Sequence, residues 1–367
     1  MLKDIDEKYM KLAIDLAKNG IGKTSPNPIV GAVIVKDDEI IGKGWHEKYG
    51  EAHAEVNALA NCKISPSNAT MYVTLEPCCH FGKQPPCTSK IIEAGISHVV
   101  IGSFDPNPQV SGKGSQILKE SGIKVTQSVL QRECDELNTV FFHYIKTNRP
   151  YVILKYAMTA DGKIATYTGE SKWITGDKAR EQVHRDRNRY SAIMVGVGTV
   201  LKDNPMLNCR IENGHNPLRV ICDTKLRTPF TSNVVKTASE IPTLIATASE
   251  DNARWRQYEA YGCKLIKIPK DGESIDLVEL IKALGENKID SVIVEGGAKL
   301  NWSILKASLM NKVQVYIGAK LFGGANAKTP IAGDGLAFPN ESVSMKLSSI
   351  SQFDEDCLLE YEVYRED

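Results

Sequence analysis

The stretch ATMYVTLEPCCHFGKQPPCTSKIIEA, residues 69–94, indicates an α/β fold with a site built at the end of a strand. Its first seven residues are mostly apolar and β-branched or aromatic, which predicts a buried strand over 69–75. A cysteine-rich loop follows at once, and residues 89–94 have a helical pattern that Gly95 would end. A loop held between a buried strand and a helix is a common place for chemistry, because rigid elements position its side chains.

Helices and strands alternate on both sides of this stretch, which predicts layered α/β architecture throughout. In the first half we predict helices over 4–19, 51–62, 115–121 and 131–148, and strands over 29–35, 40–45, 98–102 and 124–127. In the second half we predict a helix over 175–190, a hairpin around Asp161-Gly162, and strands over 151–158, 192–197, 218–222, 243–246, 264–268 and 291–295. A polar linker near residue 149 separates the halves, so we expect two domains, 1–148 and 149–367.

The composition of the chain argues against several classes of protein. Of 367 residues, 45 are Lys or Arg and 45 are Asp or Glu, so the net charge is zero, which argues against a nucleic-acid partner. No run approaches the ~20 apolar residues of a membrane span, and the acidic N-terminus lacks the features of a signal peptide. We therefore expect a cytoplasmic protein without a membrane partner, whose nine cysteines are reduced.

Three residues have the types and order of a catalytic zinc site, namely His53, Cys78 and Cys87. A catalytic zinc keeps three protein ligands and leaves the fourth position for water, whose pKa it lowers towards ~7. Glu55 lies two residues after His53 and is placed to accept a proton from that water. The order His-x-Glu, then Pro-Cys, then Cys is the signature of zinc nucleobase deaminases.

The sequence leaves other interpretations of this cluster open. A purely structural zinc site has four protein ligands, and Cys62, Cys79 or His80 could supply the fourth. Glu55 could also be an ordinary solvated residue of its helix.

The loop between Cys78 and Cys87 is unusually long: eight residues intervene, where nucleoside and tRNA deaminases usually have two. Residues 74–87, with motifs at 25–33, 44–46 and 105–108, resemble the bacterial bifunctional diaminohydroxyphosphoribosylaminopyrimidine deaminase / 5-amino-6-(5-phosphoribosylamino)uracil reductase family of riboflavin biosynthesis. The resemblance implies a cytidine-deaminase-like three-layer domain with one Zn²⁺ per chain. It also implies that the following residues contact the pyrimidine and its ribose phosphate: Asn27, His46, His80, Lys83, Asp105 and Asn107.

The second half carries weaker chemical signals of its own. Residues 196–198, Gly-Val-Gly, follow a predicted strand but lack the third glycine of a dinucleotide fingerprint. Residues 291–300 read as strand, Gly-Gly and helix, and the backbone N–H groups of such a helix start can bind a pyrophosphate. An ordinary strand–helix turn has the same pattern.

Motifs at 160–165, 169–175 and 198–207 resemble the reductase half of the same family, which implies a dihydrofolate-reductase-like domain that binds NADPH. The cofactor contacts implied are Ala157, Trp173, Thr199, Asp203, Thr224, Gly297, Ala298, Lys299, Leu300, Asn301, Trp302 and Ser303. The substrate contacts implied are Lys155, Ser171, Arg187, Leu207, Arg210 and Glu295. The resemblance also implies self-association through the reductase domain.

The resulting hypothesis is an enzyme that deaminates a phosphorylated aminopyrimidine and then reduces its ribosyl chain. One rival is a nucleic-acid deaminase whose second half binds RNA, which the zero net charge and the long loop oppose. Another is a non-enzymatic zinc module joined to a ligand-binding domain, and a third keeps the fold with one activity lost.

Overall fold

The computed structural model describes residues 2–81, 85–107 and 110–364, with side chains from Asp4 onward. The chain divides into two compact units, Met1–Asn148 and Arg149–Asp367, and both are mixed α/β as the sequence predicts. No helix in the described part of the chain combines the length and apolar character that a membrane crossing requires.

The first unit is a five-stranded sheet, in the order β2-β1-β3-β4-β5, covered by helices on both faces. Its strands are β1 Gly31–Lys36, β2 Glu39–Trp45, β3 Thr70–Leu75, β4 His98–Ser103 and β5 Lys124–Thr126. Its helices are α1 Leu2–Ala17, α2 Ala54–Ala60, α3 Cys87–Glu93, α4 Lys113–Glu120, α5 Gln131–Leu137 and α6 Thr139–Thr147. Strands β3, β4 and β5 are parallel, so the segments that follow β3 and β4 leave the same edge of the sheet.

Alternating side chains of β1 explain the three layers. Val33 and Val35 pack on the face that α1 and α5 cover, whereas Ala32 and Ile34 pack on the face that carries α2, α3, α4 and α6. Because every one of these four side chains is buried, β1 reads as a continuous apolar run rather than an alternating one.

One predicted helix is wrong: residues 131–148 form two helices, α5 and α6, with a break at Asn138. The Asn138 side chain is 1 % exposed and pairs with the backbone of Ile29, accepting from its N–H at 2.8 Å and donating to its carbonyl at 3.0 Å. These two tertiary hydrogen bonds fix the break and tie α6 to the segment before β1.

The second unit holds a nine-stranded sheet in the order β10-β9-β8-β7-β13-β6-β14-β16-β15 and a separate two-stranded hairpin, β11-β12. Its strands are β6 Tyr151–Thr159, β7 Ala192–Gly196, β8 Leu218–Cys222, β9 Thr243–Thr247, β10 Lys264–Lys267, β11 Lys270–Asp271, β12 Ser274–Ile275, β13 Ser291–Val294, β14 Lys312–Gly318, β15 Met345–Phe353 and β16 Asp356–Val363. Its helices are α7 Asp177–Arg189, α8 Val197–Asp203, α9 Asn233–Lys236, α10 Asn252–Ala260, α11 Leu277–Glu286 and α12 Ala298–Lys306. The seven neighbouring strands β10-β9-β8-β7-β13-β6-β14 are parallel to one another. Strand β16 pairs antiparallel with β14, and the edge strand β15 pairs antiparallel with β16.

The predicted hairpin at Asp161-Gly162 is also wrong, because residues 163–166 form no strand. The turn itself exists, since Thr159 N–H donates to the Lys163 carbonyl at 2.9 Å. The Asp161 carboxylate instead accepts from the backbone of Phe322 at 3.2 Å and Gly323 at 2.6 Å, which binds the turn to the loop after β14. A tertiary contact of the aspartate has replaced the local pairing.

Candidate functional site

The three predicted zinc ligands meet in the first unit. His53 immediately precedes α2, Cys78 follows β3, and Cys87 is the first residue of α3. Their ligand atoms all lie within 4.8 Å of one another, and His53 Nδ1 is 3.5 Å from Cys78 Sγ and 3.3 Å from Cys87 Sγ. Close packing sets the position of α2, because a Cβ on Gly44 of β2 would lie 2.3 Å from the Ala58 nitrogen.

The donor atoms of this cluster fit a divalent cation. Hydrogen bonds from the Cys87 thiol and His53 hold the pKa of Cys78 well below its ordinary value, and the Cys87 backbone N–H adds a contact of 3.4 Å. Two sulfurs and one imidazole nitrogen are the donor set that Zn²⁺ prefers. No fourth His, Cys, Asp or Glu of the described residues joins the group, so the set matches the three-ligand, open type of site.

A cavity of about 300 Å³ opens beside these ligands, and Glu55 lies in its wall. Glu55 is 3 % exposed, and this burial raises the pKa of its carboxyl. A buried carboxylate beside the ligands can take up and return a proton at the point where water would stand. Its burial also makes the solvated-helix interpretation of Glu55 untenable.

Five of the predicted pyrimidine contacts line the same cavity: Asn27, His46, His80, Asp105 and Asn107. His46 Nε2 and His80 Nδ1 are buried without a hydrogen-bond partner among the described residues, so a bound molecule could satisfy them. Burial and the neighbouring His53 lower the pKa of His46, and burial raises the pKa of Asp105 to about 6. The sixth predicted contact, Lys83, lies outside the described residues.

Part of the cavity wall was not predicted. Phe141, Tyr144 and Ile145 of α6 supply an apolar side, and Glu76 lies in the wall beside Cys78. The spacing of the three α6 residues, i, i+3 and i+4, marks one helix face and is the signal that could have found them. An aromatic face of this kind suits a flat heterocyclic ring.

The second unit has a larger cavity, of about 960 Å³, at the carboxyl ends of its central parallel strands. Eight of the predicted cofactor contacts line it: Thr199, Asp203, Thr224, Gly297, Ala298, Lys299, Leu300 and Ser303. Helix α12 begins at the cavity with Gly297 as its N-cap, so its free backbone N–H groups form a binding place for anions.

Four other predicted cofactor contacts are not among the residues lining this cavity: Ala157, Trp173, Asn301 and Trp302. Asn301 is 1 % exposed and donates to the Pro330 carbonyl at 2.9 Å, which fixes the loop beyond α12. Trp173 is 59 % exposed, with the Arg180 guanidinium 4.4 Å above its ring. Their proposed contact with a cofactor therefore rests on the resemblance alone.

Glu295, which also lines this cavity, is the centre of a buried ion cluster. Arg187 donates to its two oxygens at 2.8 and 2.9 Å, and the Lys155 ammonium is 3.6 Å away. Burial raises the pKa of Glu295, but Arg187 and Lys155 outweigh it and hold that pKa at about 2. Arg187 also donates to the Asn208 carbonyl at 3.1 Å, so three of its five N–H groups are engaged and it holds Glu295 in place.

The remaining predicted substrate contacts are spread more widely. Ser171 lines the cavity. Leu207 is buried and has a positive φ of 51°, and Arg210 is exposed with one contact of 3.3 Å to the Asn208 side chain.

Comparison with known proteins finds a matching family for each of the two units. Residues 3–103 match the family described as the cytidine and deoxycytidylate deaminase zinc-binding region, and residues 150–359 match the RibD C-terminal domain. Riboflavin biosynthesis protein RibD of Actinobacillus pleuropneumoniae is 52 % identical over 362 residues, which cover 99 % of this chain and 96 % of that protein. The same protein of Aquifex aeolicus is 41 % identical and covers 99 % of this chain and 100 % of its own.

Solved structures give the same result. A crystal structure of a diaminohydroxyphosphoribosylaminopyrimidine deaminase / 5-amino-6-(5-phosphoribosylamino)uracil reductase from Thermotoga maritima aligns with a TM-score of 0.89 at 40 % identity, covering 99 % of this chain and 100 % of that one. Acinetobacter baumannii RibD aligns with a TM-score of 0.88 at 34 % identity over the same shares. The predicted cytidine-deaminase-like and dihydrofolate-reductase-like folds are thereby confirmed.

Proposed function

This chain belongs to the RibD family of riboflavin-biosynthesis proteins, and from that membership we propose its substrates and the role of each site residue. It is a bifunctional enzyme, a deaminase and a reductase, with zinc and NADPH as cofactors. The proposed substrate is 2,5-diamino-6-(5-phosphoribosylamino)pyrimidin-4(3H)-one, which loses ammonia to give 5-amino-6-(5-phosphoribosylamino)uracil. The observation that carries this proposal is the meeting of His53, Cys78 and Cys87 beside a cavity that contains buried Glu55.

For the deaminase we propose that His53, Cys78 and Cys87 hold the zinc. Zinc, when bound, makes water nucleophilic at neutral pH. The Glu55 carboxylate takes a proton from the water that adds to C2 and delivers it to the departing amine, so that water and the amine become a carbonyl and ammonia. The apolar face of α6 packs on the pyrimidine ring, while His46, His80 and Asn107 hydrogen-bond to its edge.

For the reductase we propose that the cavity at the start of α12 binds NADPH. NADPH, when bound, would supply hydride to C1 of the opened ribosyl chain, and uptake of a proton from solvent at the adjoining nitrogen completes the ribitylamino product. The Glu295 carboxylate is ionised at neutral pH and therefore accepts a hydrogen bond from a substrate hydroxyl. Lys155 and Arg187 keep that carboxylate fixed in the cavity wall.

We also propose that residues 1–148 carry the deamination and residues 149–367 the reduction, which the two matched ranges support. Self-association through the reductase unit is supported by the exposed apolar residues Met345, Leu347 and Ile350 of the edge strand β15. A cytoplasmic location is supported by the nine cysteines, none of which forms a disulfide.

The experiment that tests the proposed function is incubation of the purified protein with the diaminopyrimidine substrate, with and without NADPH, followed by mass spectrometry. Without NADPH we expect a product 1 Da heavier than the substrate, because an amine is exchanged for a carbonyl oxygen, and with NADPH a further gain of 2 Da. Deamination of RNA or single-stranded DNA with an unchanged free pyrimidine would overturn the proposal.

The Glu55→Gln variant separates catalysis from metal binding. We expect it to abolish ammonia release while zinc stays near one per chain and NADPH-dependent reduction of the uracil intermediate is kept. Deamination at the wild-type rate in this variant would remove Glu55 from the mechanism.

A further inference from the structure

One buried carboxylate in the wall of the smaller cavity takes no part in the proposed deamination. Glu76 directly follows β3, is 3 % exposed and lines the cavity. Its Oε1 accepts from the Ser115 N–H at 2.9 Å and from the Ser115 hydroxyl at 3.0 Å, and its Oε2 accepts from the Gly112 N–H at 3.0 Å. Both oxygens of the carboxylate are therefore bound to the start of α4.

These hydrogen bonds cap α4 from a distant segment of the chain. Gly112 is the N-cap of the helix and has no side chain, and Ser115 is the third residue of the first turn, whose N–H an N-cap side chain ordinarily binds. Glu76, 39 residues earlier, accepts that hydrogen bond instead. The packing is equally close, because a Cβ on Gly114 would lie 2.2 Å from the Pro77 carbonyl oxygen. The start of α4 therefore rests on the segment that leads into the first cysteine of the proposed zinc site.

Glu76 also holds the other end of the segment that joins β4 to α4. Its backbone N–H donates to the carbonyl of Ser103, the last residue of β4, at 2.9 Å. Between Ser103 and the N-cap of α4 lie Asp105 and Asn107, which line the cavity and are two of the proposed pyrimidine contacts. One residue therefore binds both ends of the segment that carries them.

Hydrogen bonds within this segment transmit the position of α4 to the cavity. The Asn107 carbonyl accepts from the N–H groups of Val110 and Ser111 at 2.8 and 2.9 Å, and Ser111 directly precedes the N-cap. The Asn107 N–H in turn donates to the Asp105 carboxylate at 2.8 Å. A displacement of the N-cap would therefore move Asn107 and, through it, the Asp105 side chain.

We propose that Glu76 is a positioning residue of the deaminase, which holds Asp105 and Asn107 at the distance from the zinc ligands that the pyrimidine ring requires. The inference rests on the proposed deaminase function of this cavity. The zinc ligands and Glu55 are held by other elements, because they lie at α2, at the end of β3 and at the start of α3. Loss of the Glu76 contacts should therefore weaken the hold on the substrate while the chemical step is kept, so that KM rises and kcat does not fall with it.

The Glu76→Gln variant removes one of these contacts while keeping the size of the side chain. Its amide oxygen can still accept from Ser115, but its NH2 group would face the Gly112 N–H, so that two donors meet. On the full chain we expect the KM of ammonia release from the diaminopyrimidine to rise about tenfold, the effect of one lost hydrogen bond to a carboxylate. We expect kcat to change by less than about threefold and zinc to stay near one per chain.

Two matched variants separate the reach of the side chain from its charge and from a general effect on α4. Glu76→Asp keeps the carboxylate but is one methylene shorter and cannot reach both Gly112 and Ser115, so we expect KM to rise at least as much as in Glu76→Gln. A wild-type KM in Glu76→Asp would show that charge alone matters and would overturn the proposal. Gln116→Ala changes an exposed side chain of the same helix, bonded to Glu120 at 2.8 Å, and should keep the wild-type KM.

A double-variant cycle tests whether Glu76 acts through the segment between β4 and α4. Once Asn107→Ala has removed one of the two contacts, Glu76→Gln should raise KM by only about threefold, because Asp105 alone is left to be displaced. An equal rise in both backgrounds would overturn this route. So would an unchanged KM in Glu76→Gln, or a joint fall of kcat and zinc content, which marks a purely structural role. A wild-type protein that releases no ammonia from the diaminopyrimidine would instead overturn the proposed function of the first unit.

Discussion

Replacing Glu295 with glutamine removes the charge that Arg187 and Lys155 surround while keeping the shape of the side chain. The Glu295 and Arg187 side chains are only 10 % and 14 % exposed, so the two hydrogen bonds of 2.8 and 2.9 Å between them are largely shielded from water. Breaking one side of a buried ion pair costs about 3–5 kcal/mol, because the remaining charge stays buried without its partner.

The pKa of Glu295 gives a second estimate of how much the ion pair contributes to the free energy of unfolding. It falls from the ordinary 4.5 to about 2 in the folded protein, and a shift of that size corresponds to about 3 kcal/mol of stability at neutral pH. Because the folded-state pKa is the lower one, this stability is fully present above pH 4.5 and is lost as the pH falls through 2. The difference between wild type and Glu295→Gln should therefore shrink by about 1.4 kcal/mol between pH 7 and pH 3.5.

Urea unfolding followed by tryptophan fluorescence measures this difference, since three of the four tryptophans, Trp173, Trp255 and Trp302, lie in the second unit. Taking the difference between the two proteins cancels the titration of all other groups. Activity gives an independent readout, because Glu295→Gln should lose NADPH-dependent reduction and keep ammonia release. A stability difference below about 1 kcal/mol at pH 7, or one that does not change with pH, would refute the reasoning.

Three further predictions concern single side chains. Cys87→Ser should lower the zinc content well below one per chain and abolish ammonia release, and a variant that keeps both would exclude Cys87 as a ligand. Arg219→Met should destabilise the second unit by about 3–5 kcal/mol, because the five N–H groups of the buried guanidinium lie within hydrogen-bond distance of six oxygens, all uncharged, which would lose their donors. Urea unfolding measures the change, and a loss under 1 kcal/mol would contradict it. Gly114→Ala should cut ammonia release about tenfold while NADPH-dependent reduction is kept, because the new Cβ would lie 2.2 Å from the Pro77 oxygen, next to a proposed zinc ligand; unchanged ammonia release would show that the loop adapts.

Most of the secondary structure of the first unit could be predicted from the residue pattern within each segment. Buried apolar runs such as 29–35 identified strands within two residues of their observed bounds, because a fully buried strand has no polar face to confuse its period. The errors came where distant partners decided the outcome. Asn138 lies at the break between α5 and α6 and hydrogen-bonds to Ile29. Asp161 hydrogen-bonds to the loop after β14 where a hairpin was predicted. Neither partner is near in sequence.

The limit of prediction from sequence pattern is clearer in the second unit. Strands β14, β15 and β16 were not predicted, and polar side chains such as Lys312, Gln314 and Glu362 interrupt their apolar residues. The Lys312 ammonium forms a half-buried ion pair with the Glu360 carboxylate at 2.9 Å, and such a partner cannot be identified from one strand alone. A polar side chain in a strand therefore argues against burial only when no opposite charge lies across the sheet.

The two sites differ in where the partners of their charged groups lie in the sequence, and this explains why residue types alone indicated the chemistry of the first more directly than that of the second. In the first, the ligands lie within one stretch of 35 residues, 53–87, and their types alone specify the metal. In the second, Arg187 is a predicted substrate contact, and Glu295, more than 100 residues later, accepts hydrogen bonds from two of its five N–H groups. Arg210, in contrast, is exposed, and its Nε lies 3.3 Å from the Asn208 side-chain oxygen. Residue type fixes what a group can bind, but only the fold decides whether another part of the chain has already bound it.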